Sequence, residues 1–215
     1  MTETKKRIIM GVFMAVVALA AAGLQYAGLP AVRWLGILVI LTMMYEFASA
    51  AFRNRDKIGA GRGRMAFGAF SLWLILMLYA MTVVGNRPWI VLLLLLIICA
   101  ADIGAWFFGR LIGGDKMWEK LSAKKTWAGQ IAGILCGTAA AVMYGLLGTD
   151  TFMPQLMWIG ISVSLMSQYG DLTASWFKRR LGIKDFGNLI PGHGGMLDRF
   201  DGWIYVLPII WLVML

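Results

Sequence analysis

Trp89-Ile-Val-Leu-Leu-Leu-Leu-Leu-Ile-Ile-Cys-Ala-Ala-Asp102-Ile-Gly-Ala-Trp-Phe-Phe108 is the stretch on which the fold turns. Its centre, Val91 to Ile98, is an unbroken apolar run. A helix of about 20 residues, rising 1.5 Å each, crosses the ~30 Å hydrocarbon layer of a bilayer. Working outward from it, the same length test finds six more runs: roughly Ile8–Leu29, Ala31–Phe52 and Met65–Val84 before it, and Trp127–Leu147, Pro154–Phe177 and Met196–Leu215 after it. The chain of 215 residues is 60% hydrophobic and only 14% charged, which is more apolar surface than a soluble domain of that size can hide. Lipid is therefore its main solvent. The expected fold class is all-α: a polytopic transmembrane helix bundle of about seven segments.

The net charge of +9 reports topology more than partners. Eighteen of the 20 Lys and Arg residues fall on one side of the expected segments, at Lys5–Arg7, Arg53–Arg64, Arg110–Lys125 and Lys178–Arg199; only Arg33 and Arg87 fall on the other. By the positive-inside rule the amino terminus is cytoplasmic and the carboxyl terminus faces outward. Lys5, Lys6 and Arg7 precede a long apolar run, but Ala20-Ala-Ala-Gly23 leads into further membrane segments, so no cleavable signal peptide is expected. Cys99 and Cys136 lack metal-ligand spacing and read as small core residues. No linker, repeat or low-complexity segment interrupts the chain. The expectation is one integral membrane domain, 1–215, with 1–100 as anchoring helices and 101–215 as the half that carries chemistry. The Gly59-Ala-Gly61-Arg-Gly63-Arg64 stretch lacks the Lys-Ser/Thr of a phosphate loop and reads as a cationic connection between helices.

Polar groups inside the apolar runs narrow the search, because they are costly in lipid and face a bundle interior or a wet cavity. In the sixth run, Ser164, Ser167 or Gln168, Asp171, Ser175 and Lys178 recur at helical spacing and form one face, opposite Leu165, Leu172 and Trp176. The serines alone would suit interhelical hydrogen bonding. An Asp with a Lys beyond it suits chemistry on charged groups better. Asp102, Trp106 and Arg110 share a face of the fourth run. Glu46 is the remaining embedded acid, equally readable as functional or as a structural partner of an arginine.

The densest feature is Ser175 to Asp201, which packs Lys178, Arg179, Lys184, Asp185, the only histidine and two further carboxylates between apolar stretches. Only 14 residues follow Asp201, so a last helix long enough to span must begin near Met196. That start places Asp198 and Asp201 on nearly one helical face, a turn apart. Close carboxylates repel and call for a cation. With Asp171 from another helix they would suit Mg²⁺, a hard ion that takes oxygen ligands, waters and substrate phosphates. Lys124, Lys125, Lys178, Arg179, Lys184 and Arg199 would then suit phosphate groups. Carboxylates beside cations are the parts of phosphoryl or nucleotidyl transfer, where catalysis is positioning and charge neutralisation. His193, flanked by Gly192, Gly194 and Gly195, reads either as a phosphate contact or proton carrier or as a loop-shaping residue.

These residues resemble the phosphatidate cytidylyltransferases, also called CDP-diacylglycerol synthases. The resemblance rests on Ser175, Lys178-Arg179, Lys184-Asp185, Gly192-His193-Gly194-Gly195 and Asp198-Arg199-Phe-Asp201. Ser167-Gln-Tyr-Gly-Asp171-Leu, Asp102-Ile-Gly-Ala-Trp-Phe-Phe-Gly-Arg110 and Ser122-Ala-Lys124-Lys125-Thr126-Trp-Ala-Gly129 are similar to further blocks of that family. The match covers residues 102 to 202. Ala123 stands where the family commonly has Pro and Ala128 where it commonly has Glu, and the amino-terminal half is shorter than in many members. The resemblance implies that CTP and phosphatidate give CDP-diacylglycerol and pyrophosphate at the cytoplasmic side of a bacterial inner membrane. It carries metal binding onto Asp171 and Asp198, with Asp201 close by as a third metal candidate, and makes Asp171, Asp198, Asp201 and Lys178 the catalytic residues. It makes Lys124, Lys125, Ser175, Arg179, Lys184, His193, Arg199 and Asp102 substrate-binding candidates. Mg²⁺ is the expected cofactor, with room for a second cation. The expected partners are CTP and membrane phosphatidate, with no nucleic acid and a homodimer left open. Two other readings stay open: a nucleotidyltransferase for another lipid phosphate, and an ion-coupled transporter, against which the lack of internal symmetry counts.

Overall fold

The computed structural model describes residues 3–59, 61–119, 121–149, 154–190 and 194–215, with side chains for all of these except 3–12, 14, 15, 123, 124 and 149. In chain order the elements are α1 (Glu3–Tyr26), α2 (Ala31–Arg53), α3 (Arg55–Ile58), α4 (Arg62–Val84), α5 (Pro88–Ile112), β1 (Lys116–Trp118), β2 (Ser122–Thr126), α6 (Trp127–Thr149), α7 (Pro154–Leu181) and α8 (Trp203–Val213). Proline opens both α5 and α7, where its missing N–H would have had no helical acceptor and its fixed φ already suits the first turn. The Trp89–Phe108 stretch lies within α5, which stops where Gly113 and Gly114 adopt positive φ.

The molecule is an all-α polytopic membrane protein. Among the described residues four helices are long and apolar enough to cross a bilayer: α2, α4, α5 and, over Trp127–Gly148, α6. Large apolar side chains on them, among them Leu72, Leu111, Leu135 and Leu147, are more than 60% exposed, as lipid-facing residues are. Beside the expected helices the described residues form the short α3 and a hairpin of β1 and β2, antiparallel, with Lys116 opposite Thr126 and Trp118 opposite Ser122.

The end of the chain departs from expectation. The last helix begins at Trp203, not near Met196, so Asp198 and Asp201 lie in the turns before α8 rather than on a helical face. At 11 residues α8 is only about 16 Å long, too short to span. Between Met196 and Ile204 the backbone closes in separate turns, with the Arg199 and Phe200 N–H groups on the Met196 carbonyl, Trp203 on Phe200 and Ile204 on Asp201, while the Asp198 carboxylate is turned back to the Phe186 N–H.

The chain forms two compact units, Met1–Pro88 with Trp176–Leu215, and Trp89–Ser175. The closing segment from Trp176 belongs to the unit of the first four helices. In the first unit Phe47 of α2, Phe67 and Phe70 of α4, Phe177 of α7 and Phe186 form a cluster with ring centroids 4.4–5.9 Å apart. Such aromatic pairs add to burial by edge and offset packing. The Trp73 indole N–H donates to the Ile204 carbonyl at 2.8 Å, fastening α4 to α8.

In the second unit a glycine ladder does the corresponding work. Gly129, Gly133 and Gly137 follow one another at four-residue spacing along one face of α6. A β-carbon on Gly129 would come within 2.7 Å of the Ala105 carbonyl oxygen, and one on Gly133 within 2.6 Å of Gln168 Nε2 and 2.8 Å of the Ala101 carbonyl oxygen. Small residues allow this backbone approach, which substitutes in lipid for the hydrophobic drive of soluble cores.

Candidate active site

Each unit builds one acid–lysine cluster. In the second unit it starts from Thr126, a hydroxyl residue just ahead of an apolar run. Buried Thr126 caps α6: its Oγ1 accepts the Gly129 N–H at 3.1 Å, satisfying one of the orphan donors of the first turn. The cap and the hairpin together set Lys125 immediately ahead of the helix. Lys125 Nζ pairs with Asp171 Oδ2 of α7 at 2.5 Å, the two side chains being 27% and 39% exposed. Ser175, one turn on, donates to Asp171 Oδ1 at 3.4 Å. Asp102 of α5 lies within electrostatic range of both Asp171 and Lys125.

The polar stripe of α7 is turned into the protein, as its spacing predicts. Ser164, Ser167 and Gln168 are all buried. Gln168 Nε2 donates to the Gln130 carbonyl at 3.3 Å and so pins α7 to α6 just below Asp171. Ser164 and Ser167 do not serve as hydrogen-bonding glue among the described residues: neither hydroxyl has a partner there.

In the first unit, Lys178 Nζ lies 2.9 Å from Asp198 Oδ1, and the pair is sequestered, with side-chain exposures of 12% and 3%. Asp198 Oδ2 accepts from the Phe186 N–H at 2.8 Å and the Gly195 N–H at 3.0 Å. Both oxygens are therefore engaged by charge-assisted bonds. Residues 190 and 194 close on each other through the Ile190 N–H and the Gly194 carbonyl at 2.9 Å. Gly194 sits at φ +84°, and a β-carbon there would meet Asp185 and Asp198 oxygens at 3.2 and 3.3 Å. Only glycine accommodates both that angle and that crowding. Glu46, 5% exposed, pairs with no arginine among the described residues: its Oε2 accepts the Leu197 N–H at 2.9 Å.

The structure thus joins Lys125, Asp171, Ser175 and Asp102 in one cluster, and Lys178 and Asp198 in the other. Arg179, Lys184 and Arg199 are exposed, and Asp201 lies in the turn that leads into α8. Lys124 belongs to β2, but its side chain, like the whole of Gly192 and His193, is outside the described residues. Among the described residues no three Cys, His, Asp or Glu side chains converge on a point that would hold a metal ion by themselves. A cation here would therefore depend on waters and substrate oxygens for most of its ligands, a habit of Mg²⁺. Sequence reading missed Thr126 as a positioning residue, although a threonine preceding an apolar run is a helix-start signal. It also missed the Phe186 and Gly195 amides, for which no sequence signal exists, because backbone donors are anonymous.

Comparison with known proteins places the chain in a family. The family model described as "Cytidylyltransferase family" matches residues 1–215. The chain is similar to the phosphatidate cytidylyltransferase of Staphylococcus epidermidis, with 35% identity over 195 residues, covering 89% of this chain and 70% of that protein. It is similar to the Staphylococcus haemolyticus protein of the same name at 39% over 183 residues (84% and 65%). The Brucella suis protein of that name is 35% identical over 190 residues (82% and 68%).

Proposed function

Because this chain belongs to the cytidylyltransferase family, we propose that it transfers the cytidylyl group of CTP to phosphatidate, releasing pyrophosphate and leaving CDP-diacylglycerol in the membrane. The observation that carries this reading is the pairing of lysine with carboxylate in both clusters, Lys125 with Asp171 and Lys178 with Asp198, on a membrane protein. An ammonium held by a carboxylate keeps its charge and its direction while two of its three protons stay available to phosphate oxygens.

The reaction forms one P–O bond and breaks another. A phosphatidate oxygen attacks the α-phosphorus of CTP, and the bond from that phosphorus to the bridging oxygen breaks, so that pyrophosphate leaves with the electron pair. The attacking oxygen is already anionic near neutral pH, so no dedicated base is needed. What the residues must do is bring two anions together and receive a third. Lys178 and Lys125 supply positive charge; exposed Arg179, Lys184 and Arg199 supplement it at the surface.

Mg²⁺ is part of the proposal, where it would neutralise charge on the triphosphate and the departing pyrophosphate. Asp171 suits it best, as a hard oxygen donor with a partly exposed carboxylate. Asp198 would have to release one of its present donors to ligate, and Asp201 is the other carboxylate kept in the proposal. The cationic loops support a cytoplasmic site in a bacterial inner membrane.

The test is direct. Detergent-purified protein is incubated with phosphatidate, labelled CTP and Mg²⁺, and labelled CDP-diacylglycerol and pyrophosphate are measured. Equimolar appearance of both is expected. Absence of both across varied acyl chains and divalent metals would sink the assignment.

A further inference from the structure

Glu46 is the most deeply buried acid among the described residues that the chemistry above does not use. It sits in α2, 5% exposed, far in sequence from the loop it touches. Its Oε2 accepts the Leu197 N–H at 2.9 Å. Two glycines of that loop close on the same carboxylate: a β-carbon at Gly187 would lie 2.5 Å from Oε1, and one at Gly195 would lie 2.5 Å from Oε2. No other residue type fits at either place without moving the acid. Oε1 has no hydrogen-bond partner among the described residues.

The two acids grip one short segment. Asp198 holds the Gly195 N–H and the Phe186 N–H, and Glu46 holds the N–H of Leu197, the residue just before Asp198. Asp198 in turn directs Lys178. Phe47, the next residue of α2, packs edge-to-face with Phe177 and tilted against Phe186, so the helix that carries Glu46 is itself anchored to both sides of the loop. An unpaired Leu197 N–H in this buried place would be costly, and the side chain that accepts it also fills the room against which Gly187 and Gly195 close.

We propose that Glu46 is a positioning residue: from the membrane span it sets the register of the Gly195–Asp198 segment and, through Asp198, the direction of Lys178. This rests on the reading that Lys178 and Asp198 serve the transfer reaction. It predicts that losing the Glu46 acceptor slows turnover on bound substrates more than it weakens binding, and that an uncharged acceptor of the same shape suffices.

The experiment uses the full chain in detergent or nanodiscs, with Glu46→Ala and Glu46→Gln. Steady-state kinetics with CTP and phosphatidate is read beside amide hydrogen exchange over residues 186–201. For Glu46→Ala the expected result is a fall in kcat on the order of tenfold or more, as small displacements of reacting groups produce, with KM for CTP little changed. Exchange should rise over 186–201 and stay unchanged in α5 and α6. Glu46→Gln should restore both readouts. Turnover of Glu46→Ala within twofold of wild type, unchanged exchange, or a Gln variant as slow as Ala overturns the proposal, the last because the charge itself would then be needed. Should Glu46→Ala fail to insert, Gly187→Ala, which leaves Glu46 in place but drives a methyl against it, is expected to give the same loss of kcat and the same local exchange. A Gly187→Ala protein indistinguishable from wild type overturns the idea equally. Wild-type protein that makes no CDP-diacylglycerol counts against the reaction itself, and the exchange readout then decides the role of Glu46 alone.

Discussion

Asp171 and Asp198 are the same side chain used in two ways. Asp171 is partly exposed and makes one ion pair and one long hydrogen bond; Asp198 is nearly sealed and serves three donors. Their asparagine variants should therefore separate. Asp171→Asn is expected to melt close to wild type while losing most turnover and its response to Mg²⁺. Asp198→Asn is expected to lose activity and stability together, by about 3–5 kcal/mol, since removing one partner leaves the buried Lys178 uncompensated. Thermal melts in detergent beside product formation distinguish the two, and equal melting losses would contradict the division of labour. Removing divalent cations with a chelator should abolish turnover in the wild type without unfolding it, because the described clusters hold together through lysine and backbone partners. Unfolding on chelation would show a structural ion instead.

At the scale of elements, both clusters depend on how helices begin and approach. Thr126 caps α6, and its loss should cost about 1 kcal/mol of stability. Because the cap also sets Lys125, Thr126→Ala should lower kcat/KM beyond what a melt explains, and Thr126→Ser should recover it. The ladder of α6 gives a second, internally controlled test. A methyl at Gly133 would collide with Gln168 and the Ala101 carbonyl, so Gly133→Ala should destabilise by about 1–3 kcal/mol. Gly148, on the same helix, has open space around it, and Gly148→Ala should be neutral or slightly stabilising. Equal effects at the two positions would argue against tight packing along this face.

For the whole molecule, the testable property is orientation in the membrane. With Cys99 and Cys136 replaced, a single cysteine at position 87 (Arg87→Cys) should react with an impermeant maleimide from outside intact cells. One at position 55 (Arg55→Cys) should react only after lysis. The reverse pattern would put the charge-rich loops, and the proposed site, on the wrong side for CTP.

Legibility in the sequence followed the range of the interactions involved. Apolar run length and cation bias are summed over many residues, so the helical membrane fold was readable, and the spacing of Asp171, Ser175 and Lys178 placed them on one face of α7. Family-like blocks from Asp102 to Asp201 pointed to the chemistry. What the chain alone did not determine were the points where one residue meets a partner remote in sequence. Asp198 and Asp201 read as helical from the length that a spanning segment needs, yet the chain there closes in separate turns and Asp198 reaches back to the Phe186 amide. Glu46 was undecidable until the fold brought residue 197 to it across 151 positions of sequence. Periodicity is a property of a local pattern and survives in one dimension. The capture of a single amide by a single carboxylate leaves no trace there, and only tertiary structure decides it.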